Sequence, residues 1–568
     1  MWADDAPERL VYASNKSGKW EVYAWDRTAG THRQMTDRKE GTLDGYMAPS
    51  GNEIWWFDDT DGDEFGQWVA QDFETDARRI VAESLGRKYS TGFHIGRSAS
   101  VIGTTDEDEG TAIHVIREDQ DPHKVYQGSE ASWLGGMSED EQLICFHHAE
   151  NSDSRHPQLR VIDTQGNVVA ELSDGPDLGL DSVGFPPVAG DDRVLVLHER
   201  TGLKRPLIWW PRTGETREIE VDLPGEVSAS WFQDGSALLI DHEMAGRSEL
   251  YRYDIDSETL TKLQTEKGVI SEAAARPDGS VWYVWSDSAN PPQVRSTSGE
   301  VVLTAGAENS PGGVRYSDLW VGPIHAFVAE PADRPRPHKT IFYIHGGPDA
   351  HDRDSFSPPV QAFVDHGLAV VMVNYRGSTG YGREWRDAIV GNPGFTEKAD
   401  INAVWDRVVA DGIADRDQIA LAGNSWGGYQ TLLGLGMEPG RWAVGVAGVP
   451  VADFVAAYDD EMETLKFYDR ALFGASPEEN LELYQERSPI TYIEDVRAPV
   501  MILAGENDPR CPIRQINNYI ARLDELGKDH EVLRFDAGHG SYRTEERIRQ
   551  TEAQLDFLAR KLGTTPPL

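Results

Sequence analysis

Two textures divide the chain. Up to about residue 310, short apolar or alternating runs are separated by turn residues, which predicts strands rather than helices. One such run per unit aligns at Leu10, Ile54, Val101, Leu143, Val194, Leu238 and Val281. A recurrence of about forty to fifty residues with several strands per unit is the signature of a β-propeller, here of seven blades. Turn signals precede the aligned run at Pro49–Asn52, Asp234–Ser236 and Asp278–Ser280, and a further strand follows at Glu21–Asp26, Leu159–Asp163 and Leu250–Asp254.

Between Gly312 and Pro323 the repeat stops, and from Ile324 strand and helix patterns alternate. Strands are expected at 340–344, 368–374, 419–423, 443–448, 500–505 and 531–535, with helices such as Lys398–Ala410 and Glu546–Leu562 between or after them. That alternation specifies a mostly parallel sheet with helices on both faces. The expected domains are 1–312 for the propeller and 313–568 for the second unit. In open sheets of this kind, sites gather where the strands end.

Four of these strand ends carry chemistry. The run Ile419–Gly423 leads into Asn424, Ser425, Trp426 and Gly427, followed by a helix-compatible stretch from Tyr429 to Met437. Strand, G-x-S-x-G and helix in that order describe a nucleophile elbow, a strained turn that lifts a serine hydroxyl clear of the sheet, as in α/β-hydrolases. Serine needs a base to take its proton and an acid to orient that base, and in such sheets the order along the chain is Ser, Asp, His. Val500–Gly505 ends in Glu506, Asn507 and Asp508; Glu531–Phe535 ends in Asp536 and, three residues on, His539. Thr340–Ile344 runs into His345, Gly346, Gly347 and Pro348, a glycine-rich loop suited to binding an oxyanion through backbone N–H groups. The assignment is Ser425, Asp508 and His539 as a triad, with the N–H groups of Gly347 and Trp426 as oxyanion donors. Asp536 and Glu506 are the rival carboxylates, and His345 and His351 the other nearby imidazoles.

His345–Pro348, Asn374–Gly382, Gly423–Tyr429, Asn507–Pro512 and Gly538–His539 together resemble the signature set of prolyl oligopeptidase family serine peptidases, nearest to their acylaminoacyl peptidase and aminopeptidase-like members. The resemblance runs from about Tyr316 to the C-terminus and selects Asp508 over its rivals. It implies that Arg510 hydrogen-bonds a substrate carbonyl and that Phe454 and Tyr458 wall the pocket for the residue preceding the scissile bond, with Trp426 as a further wall. It also implies that propeller loops face the site. Asp58–Gly66 is such a loop, and a carboxylate there, Glu64, is a candidate for a substrate's free N-terminus; Glu199 and Glu243 are alternatives. The calcium-like run within that loop lacks the spaced glutamate and the flanking helices of a calcium-binding hand.

Composition narrows the partners. With 96 acidic against 54 basic residues and a net charge of −42, the chain is unsuited to nucleic acid or anionic membranes. No run approaches the ~20 apolar residues of a membrane span, and the N-terminus lacks a signal core, so a cytoplasmic location is expected. Two cysteines, Cys145 and Cys511, exclude a disulfide framework and a cysteine-based zinc site. No cofactor and no metal are expected; a homo-oligomer is possible. The expected function is a serine exopeptidase or oligopeptidase acting on short peptides or aminoacyl amides near their N-terminus, with a proline or bulky apolar preference. An esterase or amidase on a small acylated metabolite is the alternative, and an inert propeller scaffold the third reading.

Overall fold

The computed structural model describes residues 1–304 and 311–565. In the N-terminal part, strands come in seven consecutive groups. Three strands lie within Arg9–Gln34, and four each within Gly45–Ile80, Lys88–Gly128, Ser132–Leu172, Leu180–Glu218, Glu226–Lys262 and Val269–Leu303. Each group is an antiparallel meander, and the second and third are fused into one eight-stranded sheet by pairing of Phe65 with Tyr89. Within most groups the second strand is the apolar one that the sequence alignment picked out, for example Leu143–His148, buried throughout. The last strands, such as Val168–Leu172, are largely exposed. Their alternating patterns pack neighbouring groups face to face, as where Leu195, Leu197 and Ile208 meet Val227, Leu238 and Ile240. First and last groups also meet: Arg276 donates to the carbonyl of Pro7 at 2.9 Å and stacks over Trp2 and Trp282.

The C-terminal part is built on one eight-stranded sheet. Its strands are β1 (Ser317–Val321), β2 (Ile324–Ala329), β3 (His338–Ile344), β4 (Ala369–Asn374), β5 (Ala414–Asn424), β6 (Val444–Gly448), β7 (Val500–Gly505) and β8 (His530–Phe535). The order is β1-β2-β4-β3-β5-β6-β7-β8, antiparallel up to β4 and parallel from there on. The central strands are apolar along their whole length, as expected for a sheet covered on both faces. One face packs on helices α1 (Phe395–Ala410) and α2 (Trp426–Met437); the other packs on Pro358–Asp365 and Thr544–Leu562. The expected strands are all present, and α2 starts directly after Ser425 rather than at Tyr429.

The two parts meet through charge. Buried Arg155 reaches Asp349 and Asp387, Arg386 pairs with Glu199, Glu243 with His351 and Arg353, Arg247 with Asp318 and Asp354, and Lys39 with Asp536. A small apolar cluster, Ala131 and Ala149 against Phe467, crosses the same seam beside a crevice of about 280 Å³ lined by Glu130, Ser152, Asp153 and Arg470. Among the described residues, no helix is long and apolar enough to cross a membrane.

Candidate active site

Ser425 caps α2 with φ 56° and ψ −121°, a backbone conformation that a non-glycine residue adopts only under constraint. The constraint is packing around the turn. A Cβ on Gly427 would lie 2.0 Å from the carbonyl oxygen of Ile344, so only glycine lets α2 approach β3 this closely. The Ser425 N–H donates to the Gly448 carbonyl at 2.9 Å, and its own carbonyl accepts from Tyr429. The expected elbow is therefore formed, and its hydroxyl makes no hydrogen bond to another described residue.

The candidate base and acid are in contact. His539 Nδ1 lies 2.8 Å from Asp508 Oδ2, and the other carboxylate oxygen accepts from the N–H groups of Arg510 and Cys511, each at 2.9 Å. The Asp508 side chain has no solvent exposure, and three donors hold it in one orientation. The Nε2 side of the imidazole has no hydrogen-bond partner among the described residues. The rival carboxylates point elsewhere: Asp536 is exposed and pairs with Lys39 and Asn507, and Glu506 pairs with Arg534. Ligating atoms of Asp508, Cys511 and His539 lie within 4.8 Å of one another. The carboxylate oxygens of this cluster are already engaged, and burial pushes the Cys511 thiol well above its ordinary value, so it stays protonated and a poor metal ligand.

The glycine-rich loop lies against the serine: a Cβ on Gly346 would sit 3.3 Å from Ser425 Cβ. Neither the Gly347 nor the Trp426 N–H donates to another described residue, leaving both available as donors. His345 shapes this loop. It stacks on Tyr375 with centroids 4.3 Å apart and contacts the Gly346 carbonyl and Ser378. Burial lowers its pKa to about 4, so it is neutral and structural. His351 is tied to Thr379 and Glu243.

The substrate-binding candidates are rearranged relative to expectation. Arg510 and Glu64 bind each other through a two-pronged ion pair, at 2.7 and 3.0 Å, across the seam between the two parts. The propeller loop carrying Glu64 is pressed onto the His539 loop, since a Cβ on Gly62 would lie 2.9 Å from the Gly538 nitrogen. Glu199 and Glu243 are engaged by Arg386 and Arg353 of the C-terminal part. Phe454 is 1% exposed and packs on Tyr429 and Phe473; Tyr458 is half-buried beside Tyr484.

Two residues lay outside the sequence reading. Arg155 sends both guanidinium arms to Asp349, at 2.8 and 3.0 Å, two residues beyond Gly347. Nothing local in the sequence marks it. Glu397 is fully buried and accepts the Trp426 indole N–H at 3.1 Å. Its signal was legible: it occupies the apolar stripe of α1 with Ile401, Val404, Trp405 and Val408.

Residues 354–565 match the model of the prolyl oligopeptidase family (Peptidase_S9). Dipeptidyl peptidase family member 6 of Caenorhabditis elegans is 33% identical over 233 residues, 40% of this chain and 32% of that protein. Dipeptidyl aminopeptidase BIII of Pseudoxanthomonas mexicana is 26% identical over 416 residues, covering 66% and 55%. The alignment to the first of these thus spans about a third of the relative's length. Among solved structures, a puromycin hydrolase superposes with a TM-score of 0.81 at 20% identity, over 100% of this chain and 95% of that one. An acylaminoacyl peptidase of Pyrococcus horikoshii gives 0.72 at 18%, over 98% and 93%. These likenesses extend the shared fold over both parts of the chain. Residues 354–565 of this chain thus belong to the prolyl oligopeptidase family.

Proposed function

We propose that this protein is a serine peptidase that cleaves short peptides or aminoacyl amides close to their N-terminus, with 1–312 a seven-bladed propeller and 313–568 an α/β-hydrolase domain. The observation that carries the reading is the His539–Asp508 hydrogen bond at the strand ends that also present a constrained, unpaired Ser425 hydroxyl. Ser425 Oγ attacks the scissile carbonyl while His539 Nε2 takes its proton, and Asp508 stabilises the imidazolium that forms. The negative charge on the carbonyl oxygen is met by the Gly347 and Trp426 N–H groups. His539 returns the proton to the leaving amine; water, deprotonated by the same ring, then releases the acyl group. A fluorophosphonate probe tests this directly. It should label Ser425 in the unmodified protein, and a protein that stays unlabelled there is not a peptidase of this kind.

Selection of the amine end rests on the Arg510–Glu64 pair. A peptide whose N-terminus binds Glu64 frees Arg510 to donate to a substrate carbonyl, whereas a blocked N-terminus leaves the pair closed. The Arg510 side chain is half exposed and that of Glu64 about a third, so solvent can share in the exchange of partners. Glu64→Gln should raise KM for a free-amino dipeptidyl anilide about tenfold while leaving the N-acetylated analogue within twofold. Equal changes for both substrates would remove Glu64 from amine recognition. Trp426 and Phe454 are buried and linked through Phe473 and Tyr484 to the half-buried Tyr458, which leaves Tyr458 as the ring that would favour proline or a bulky apolar side chain at the scissile position.

A further inference from the structure

The oxyanion donor Trp426 is held from behind by a carboxyl group that no described cation hydrogen-bonds. Glu397 has no solvent exposure. Its Oε1 accepts the Trp426 indole N–H, while Oε2 has no partner among the described residues. The Tyr429 hydroxyl, one turn along the same helix, is likewise buried and unpaired. An ionised carboxylate left like this is costly, and a protonated one is not.

The surroundings reinforce the point. On α1 itself burial outweighs the backbone N–H groups of Glu397 and Gly394, which favour the charged form, and Asp400 repels a second negative charge. After β4 come Tyr375, whose hydroxyl donates to the His345 carbonyl, and Arg376, whose guanidinium is occupied by Asp400 at 2.7 Å. From α2 come Trp426 and Tyr429, and from the Leu481–Arg487 helix comes Arg487, which sits over the Phe395 ring 3.8 Å from its centroid. No described cation hydrogen-bonds Glu397.

We propose, resting on the peptidase reading, that Glu397 is a positioning residue for the oxyanion site: through Trp426 it fixes the first turn of the nucleophile helix, and it does so only while carrying its proton. The ionised form adds a negative charge on the side where the oxyanion develops and leaves a buried charge that the turn relaxes to hydrate. Burial raises the pKa of this carboxyl to about 8, which places the change at mildly alkaline pH. The sign follows: the protonated, competent form dominates below that pH, and the acylation rate falls as pH rises through it.

The test uses the full-length protein and two readouts free of substrate titration, the rate of fluorophosphonate labelling at Ser425 and kcat for an N-acetyl aminoacyl anilide, between pH 6 and 10. Glu397→Gln mimics the protonated carboxyl, with an amide oxygen for the indole and an N–H for the Tyr429 side. It should retain at least a third of the labelling rate at pH 7 and show no alkaline fall, whereas the unmodified protein loses tenfold or more between pH 7 and 9.5. Glu397→Ala should lose tenfold or more at pH 7. The folded protein keeps a proton that the unfolded chain releases near its ordinary value, so Glu397 also makes stability decline as pH rises from about 4.5 to about 8. Glu397→Gln should flatten that decline in Tm, a measurement that stands even if the alanine variant does not fold. An alkaline fall that persists unchanged in Glu397→Gln overturns the proposal, as does full activity in Glu397→Ala. Absence of labelling in the unmodified protein would instead overturn the peptidase reading.

Discussion

Ser425→Ala is expected to lower kcat on a free-amino dipeptidyl anilide by about four to six orders of magnitude while leaving Tm within a degree or two. The first half follows from chemistry. Without Oγ no acyl enzyme forms, and the oxyanion donors and His539 can only assist direct attack by water, which retains a small fraction of the rate. The second half follows from geometry. The serine hydroxyl makes no hydrogen bond to a described residue, so its removal strands no buried partner, and alanine retains the Cβ that the turn already tolerates at φ 56°. Activity within tenfold of the unmodified protein would end the assignment of Ser425 as nucleophile.

Arg155→Ala should have the largest effect of any propeller substitution on catalysis. The Arg155 side chain is 2% exposed. It donates to Asp349, to Asp387 and to the Tyr468 hydroxyl, and Tyr468 in turn donates to Asp349 at 2.9 Å. Removing one member of a fully buried ion pair costs about 3–5 kcal/mol; the cost here is smaller, because Asp349 is 31% exposed and keeps the Tyr468 hydroxyl. Asp387 keeps Arg386 and His156. Burial alone would lower the His156 pKa, but hydrogen bonds to Asp153 and Asp387 raise it to about 9, so it stays cationic at neutral pH. Asp349 keeps no cation among the described residues, and it lies two residues from Gly347. The expected result is a loss of about a hundredfold in kcat/KM, with faster hydrogen exchange in the 345–352 loop. Arg155→Lys should recover only part of the rate, since a single ammonium cannot grip a carboxylate from two directions. Unchanged exchange, with kcat/KM within twofold, would show that the propeller does not order the oxyanion loop.

Both predictions depend on contacts that differ in how visible they are along the chain. Ser425, Asp508, His539 and the Gly346–Gly347 loop were legible because each sits at the end of an apolar strand, where local pattern and topology together dictate position. The same holds for six of the sheet's eight strands, β3 to β8, which read as apolar runs; the antiparallel pair β1 and β2 did not. Glu397 was legible in principle, as one charged residue on a buried helical stripe. Its proton state was not, since that depends first on burial by the elements packed around α1 and only secondarily on Asp400.

The sequence by itself determined the strands of the parallel core, the turn at Ser425, and the order along the chain of that hydroxyl, the Asp508 carboxylate and the His539 imidazole, because these follow from short-range periodicity and glycine placement. Only the tertiary structure decided how the acidic surface is used. Glu64 read as a candidate for a substrate's amine, with Glu199 and Glu243 as alternatives, yet each closes on an arginine from the other part of the chain. A charge's partner is set by proximity in space, and at separations of a hundred residues or more nothing in the local pattern encodes that proximity.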